Sequence, residues 1–176
     1  MIWKEKNMDI KAQRQFAAQK YQGARANLLV MILFTLVNIV IAFTPAEVMM
    51  LFSATVPYYA VGYGLMDPTK NLLVIGILVA VIVLTVYFLC WLLSQRSPVW
   101  MIIALVLFVI DTAALIGLCI INQDFSSILD ILFHGWVLFY LINGVRYGLR
   151  LKKLPREEAL LQEQTQEQIS EELPQE

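Results

Sequence analysis

The chain has 176 residues, 59% of them hydrophobic and 15% charged, with 13 lysines and arginines against 14 aspartates and glutamates. So apolar a composition, with its charge pushed to the two ends, places the chain among membrane proteins, and the near-neutral balance hides a basic juxtamembrane zone and an acidic tail. A single histidine excludes paired-histidine haem ligation, and two cysteines with no Cys-x-x-Cys leave no thiol-based metal or redox centre.

Residues 1–25 read as a basic amphipathic segment. Ile10, Ala17 and Tyr21 recur at helical spacing, Trp3 and Phe16 are available as interface anchors, and lysines and arginines fill the remainder. Such a segment is expected to lie in the cytoplasmic headgroup zone, held by apolar burial and by anionic lipid. Its charge is what membrane orientation already requires, so no nucleic-acid partner is inferred. The segment is polar and carries no small-residue cleavage site, so no removable leader is expected.

Four apolar runs follow, at about 26–46, 71–95, 97–121 and 125–147, each long enough to cross a hydrocarbon core of about 30 Å as a helix. Continuous apolar runs without period-2 alternation select helices over a closed barrel. The fold class is therefore all-α: a polytopic four-transmembrane-helix bundle over residues 26–150, with an N-terminal amphipathic helix and a short outer-loop helix. Lys4, Lys6, Lys11, Arg14, Lys20 and Arg25 precede the first run, Arg96 sits in the turn between the second and third, and Arg146, Arg150, Lys152, Lys153 and Arg156 follow the fourth. The other two connections hold only Lys70. Excess Lys/Arg marks the cytoplasmic side, so both termini and the Arg96 turn are expected there.

The first outer connection, Thr44–Lys70, is unusual. Thr44-Pro45-Ala46-Glu47 has a capping residue, proline at the first helical position and glutamate at the third, which reads as a helix start. Val48-Met49-Met50-Leu51-Phe52 is too apolar for water, and Pro57, Gly62 and Gly64 are expected to end that helix. The segment 45–56 then either covers the helix ends at the interface or dips into the mouth of the bundle. Pro98 and the stretch Asn122–Phe125 make tight turns, so consecutive spans pair as antiparallel hairpins. Cys90 and Cys119 fall near opposite ends of their helices, too far apart to bridge. Beyond Leu154, Pro155 is expected to stop the last helix, leaving residues 151–176 as an acidic Glu/Gln-rich cytoplasmic tail, mostly disordered.

Helical rise converts position into depth. Asp111 falls about 3 Å from the middle of its span and His134 about 1.5 Å, at roughly 1.5 Å per residue. Asn38 and Thr85 fall within about 3 Å of theirs, and Asp130 stands one turn above His134. These five residues form a candidate polar layer. One reading makes it a ligand- or ion-binding site for proton, cation or ligand coupling in a small oligomeric transporter or channel. The other makes it a clamp whose hydrogen bonds, worth on average about 0.6 kcal/mol each, fix helix register without any chemistry. One histidine and two aspartates are too few for a convincing metal site, and no nucleophile motif or phosphate-cradling loop is present. No cofactor and no enzymatic activity are expected; a membrane scaffold or accessory subunit is, with the bilayer, a membrane-protein partner or further copies of the chain as partners. The small-xxx-small pair Ala113/Gly117 suggests internal packing, while Gly144/Gly148 sits at the membrane edge.

Phe52-Ser53-Ala54 with Pro57-Tyr58-Tyr59, and Phe133-His134-Gly135-Trp136-Val137-Leu138-Phe139-Tyr140-Leu141 running on to Leu151-Lys152-Lys153-Leu154-Pro155, resemble small four-helix integral membrane proteins of Gram-positive bacteria. With the helical spans, the resemblance implies a bundle in a bacterial plasma membrane and no activity.

Overall fold

A computed structural model describes residues 10–44, 53–122 and 128–172, without the side chains of 122 and 161–172. The described residues form five helices: α1 (Ile10–Ala42), α2 (Thr55–Met66), α3 (Asn71–Leu93), α4 (Val99–Asn122) and α5 (Ile128–Glu172). Four of them, all but α2, are long and apolar enough to cross a membrane. The chain is thus an all-helical protein compatible with a multi-pass membrane architecture.

Helices α1, α5, α4 and α3 close a ring in which each touches the next, and α2 packs on α1, α3 and α4. The interior is filled by Leu28 and Met31 of α1, Tyr87 and Cys90 of α3, Met101, Ala104 and Phe108 of α4, and Val137 and Leu141 of α5. The outward faces are equally apolar. Val74, Leu78 and Ile82 of α3, Val109 and Ile110 of α4, and Leu132 and Phe139 of α5 are exposed. Apolar surface of this extent marks a protein or membrane contact, and it is compatible with lipid around the chain. Both cysteines are free thiols, Cys90 buried and Cys119 half-buried.

Small residues set how closely the helices approach. A Cβ at Gly64 of α2 would stand 2.5 Å from Leu73 Cα, and one at Gly76 of α3 would collide with the Ala60 carbonyl, so α2 and α3 touch backbone to backbone. Gly144 and Gly148 of α5 face Ala24, Tyr21 and Pro98 with equally little room. At Gly117, by contrast, an added Cβ would meet nothing within 4 Å. Among the described residues, the packing expected of Ala113/Gly117 is therefore absent, and the Gly144/Gly148 pair is the one that packs.

Other expectations need correction. Residues 10–25 are not a separate helix; they are the first half of α1, with Ala17 and Ala24 buried and Phe16 edge-on to Tyr147 of α5 at 5.7 Å. Continuity follows from the sequence between Ile10 and Ala42, which has no proline and one glycine. Pro57, Gly62 and Gly64 lie inside α2 and do not end it. Pro57 falls in the first turn, where a missing N–H costs nothing. Pro155 likewise lies inside α5, which runs on to Glu172. The proline is exposed, so water can take up the carbonyl it frees, and the Glu-, Gln-, Leu- and Ala-rich sequence after it favours helix. Residues 1–9 with Trp3, the Pro45–Glu47 helix start and the run to Phe52, the turn at 123–125, and 173–176 lie outside the described residues.

Candidate functional site: an aspartate at a buried helix end

The amino end of α2 points into the bundle. Ser53, Ala54 and Thr55 are buried, although helix termini normally leave backbone N–H groups that only water or a capping group can satisfy. Each donor here has a partner from another helix. The Ala54 N–H donates to Thr35 Oγ1 at 2.7 Å, the Thr55 N–H to Asp111 Oδ2 at 2.8 Å and the Val56 N–H to Asp111 Oδ1 at 2.8 Å. Pro57 has no N–H to satisfy. Asp111 is 3% exposed, so its two carboxylate oxygens cap α2 in a dry interior, with the favourable end of the helix dipole toward the negative charge.

His134 completes the cluster from α5. Its Nδ1 lies 2.9 Å from the Asp130 carbonyl oxygen, and a carbonyl only accepts, so Nδ1 carries a proton. Nε2 then lies 3.1 Å from Thr55 Oγ1 and 3.3 Å from Asp111 Oδ2. A neutral ring accepts from the Thr55 hydroxyl; a protonated ring donates to the carboxylate and forms an ion pair. The ring stacks on Phe108 with centroids 5.0 Å apart, which fixes its plane.

Asn38 and Thr35 supply the α1 side. Asn38 Nδ2 donates to Ser53 Oγ at 2.7 Å, and the Thr35 hydroxyl donates to the Met31 carbonyl at 2.8 Å while accepting from Ala54. Of the five expected layer residues, Asp111, His134 and Asn38 meet around the start of α2, and Asp130 joins through its backbone carbonyl. Thr85 does not. It is exposed, and its hydroxyl bonds the Val81 carbonyl of its own helix at 2.7 Å. Depth along a helix says nothing about which face a residue occupies, and Thr85 lies on the outer one.

Sequence reasoning missed Thr35, Ser53 and Thr55. Thr35 and Asn38 are spaced i, i+3 and share a face; two polar residues so placed on an otherwise apolar stretch were the available signal. Ser53 and Thr55 flank the start of α2 and carry no comparable periodicity. At the other end of the bundle, Arg25 Nε donates to Ser94 Oγ at 2.9 Å and its Nη2 to the Trp91 carbonyl at 3.3 Å. The Tyr21 hydroxyl donates to the Ser94 carbonyl at 2.6 Å. Together they close the carboxyl end of α3, where a cation is favoured.

Among the described residues every buried side-chain N or O atom has a hydrogen-bond partner, and no group of three or more His, Cys, Asp or Glu could hold a metal ion. The cluster can hold and move a proton between Nε2 and Oδ2 and can anchor a helix end. Comparison with protein families, with curated proteins and with solved structures finds no match, so the reading of this cluster rests on its own geometry.

Proposed function

We propose that the chain is an integral membrane protein with a non-catalytic role, a scaffold or accessory subunit of a bacterial plasma membrane with both termini in the cytoplasm. In this reading α2 is a re-entrant half-helix held between the spans from the outer side, and the polar layer is its anchor. One observation carries this: both Asp111 oxygens are taken by backbone N–H groups of α2. A carboxylate committed in this way is poorly placed to receive a substrate or a hydrated ion. Catalysis would further need an activated nucleophile or metal near a base; the cluster's hydroxyl–base pair, Thr55 Oγ1 at His134 Nε2, is buried at the helix end it holds.

The scaffold reading is tested by the mass of the intact particle extracted in a mild detergent. A particle heavier than one chain, with a second membrane protein or a further copy, is expected. A strict monomer that brings nothing with it contradicts the proposal.

A proton-coupled transporter is the second reading, and the two alternative partners of His134 Nε2 favour it. It requires Asp111→Asn to fold normally yet lose a pH-dependent transport response. The anchor reading expects the same variant to lose thermal stability instead.

A further inference from the structure

A groove of about 270 Å³ lies between α1 and α5, lined by Gln19, Lys20, Phe139, Tyr140, Asn143 and Tyr147 over a floor at Gly23. We infer that it binds the headgroup of an anionic phospholipid. This rests on the bilayer placement of the four long helices and not on the scaffold role.

Depth supports the assignment. Lys20 precedes the apolar run that begins at Ala26 by about 9 Å at roughly 1.5 Å per residue, which is headgroup level. Asn143 stands near the end of the apolar part of α5. Phe139 of the groove wall is 62% exposed and Trp136, three residues earlier on α5, 54%, a surface suited to acyl chains. Trp136 also packs on Tyr140 at 5.5 Å, so the wall is continuous from the apolar zone to the polar one.

Charge supports it as well. No lining residue is acidic. Neither α1 nor α5 between Ile131 and Arg156 contains an aspartate or glutamate, while Lys11, Arg14, Lys20, Arg25, Arg146, Arg150, Lys152, Lys153 and Arg156 all lie there. Several of these cations are engaged elsewhere: Arg25 at the end of α3 and Arg150 with Gln13 at 3.0 Å. Lys20 borders the groove, exposed, its ammonium 5.5 Å from the centre of the Phe16 ring, on a flexible stem that can turn toward a phosphate. The Gln19 amide, the Tyr140 hydroxyl and the Asn143 amide, whose Nδ2 already gives one hydrogen to the Phe139 carbonyl at 2.9 Å, line the same groove and can bond phosphate or glycerol oxygens. A basic pocket between helices at headgroup level is the chemistry that captures an anionic lipid.

The test is native mass spectrometry of the full chain, titrated with phosphatidylglycerol, phosphatidylcholine and soluble glycerol phosphate. Phosphatidylglycerol is expected to bind about fivefold more tightly than phosphatidylcholine, the size expected of one basic side chain at an anionic surface, and glycerol phosphate not to bind. Lys20→Gln should abolish the preference, and Lys153→Gln, outside the groove, should keep it. Gly23→Leu should also abolish lipid binding by filling the floor, since a side chain there meets nothing within 4 Å of its Cβ. Equal loss in both lysine variants, undiminished binding to Gly23→Leu, or glycerol phosphate binding as well as the lipid would each overturn the assignment. Retention of every variant in carbonate-washed membranes separates these outcomes from a failure of the bilayer placement.

Discussion

Asp111 of α4 caps the helix that begins at Thr55, its Oδ2 accepting the Thr55 N–H at 2.8 Å while Oδ1 accepts the N–H of Val56. An N-cap is usually a short polar residue just before its own helix. Here Ala54 occupies that position and makes no side-chain bond to the helix, so the cap is delivered across the bundle. A carboxylate in the bilayer interior costs about 3 kcal/mol on insertion scales. Two backbone donors, a helix amino end and a histidine are what offset that cost.

Removing the cap should be expensive. Asp111→Ala leaves the buried Thr55 N–H unpaired, at about 1–3 kcal/mol, and frees the half-buried N–H of Val56 as well, whereas Asp111→Asn keeps one acceptor and should lose less. Thermal unfolding in detergent should rank wild type above Asn and Asn above Ala. Equal midpoints for all three would exclude a capping role.

His134 and Thr55 can be tested apart from Asp111. Thr55→Val removes the partner of the neutral ring and keeps its shape, a loss of about 1 kcal/mol for one hydrogen bond. The loss should be smaller than that of Asp111→Ala, since the carboxylate holds two backbone N–H groups of α2. A loss equal to that of Asp111→Ala would mean that the hydroxyl, and not the carboxylate, holds the helix end.

Substituting glycines discriminates the helix contacts. Gly76→Ala forces α2 away from α3, where the Cβ would meet the Ala60 carbonyl, and should destabilise by about 1–3 kcal/mol, the usual cost of overpacking. Gly117→Ala meets open space and should be neutral or stabilising by up to about 1 kcal/mol through helix propensity. Thermal midpoints of the two variants should move in opposite directions or only the first should move.

Asp67 adds an acid-sensitive contribution outside the apolar spans. The Leu72 backbone N–H, and next the Thr69 hydroxyl, hold its carboxyl below the usual carboxylate range. The folded form is thus stabilised by the ionised group, fully so above its unfolded pKa of about 3.9, and the contribution is lost as pH falls through the lower folded value. Midpoints measured from pH 6 downward should drop below about pH 4, and Asp67→Asn should flatten that part of the curve.

The spans and the Asp111–His134 meeting were legible because length, hydropathy and helical rise suffice to place a residue in depth. Azimuth was not legible, which is why Thr85 was grouped with residues that it does not touch. The start of α2 was also hidden. The Thr44-Pro45-Ala46-Glu47 pattern is a strong local signal, but the cap that holds Thr55 comes from α4, and no local pattern reports a cap supplied by another helix. The close approaches at Gly64 and Gly76 leave no sequence signal for the same reason, since their partners lie on different helices and share no fixed spacing. Pro155 reads as a stop, but the helix-favouring sequence after it carries α5 on, and at its exposed position water can bond the carbonyl it frees.

Hydrogen exchange of the α2 backbone tests the anchored amino end most directly. In the wild-type chain in detergent or lipid discs, the amides of Ala54, Thr55 and Val56 should be protected, although they open a helix. Asp111→Ala should release Thr55 and Val56 while the amides of α3 and α4 stay protected. Fast exchange of these three amides in the wild type, or protection that survives the loss of Asp111, would contradict the anchor.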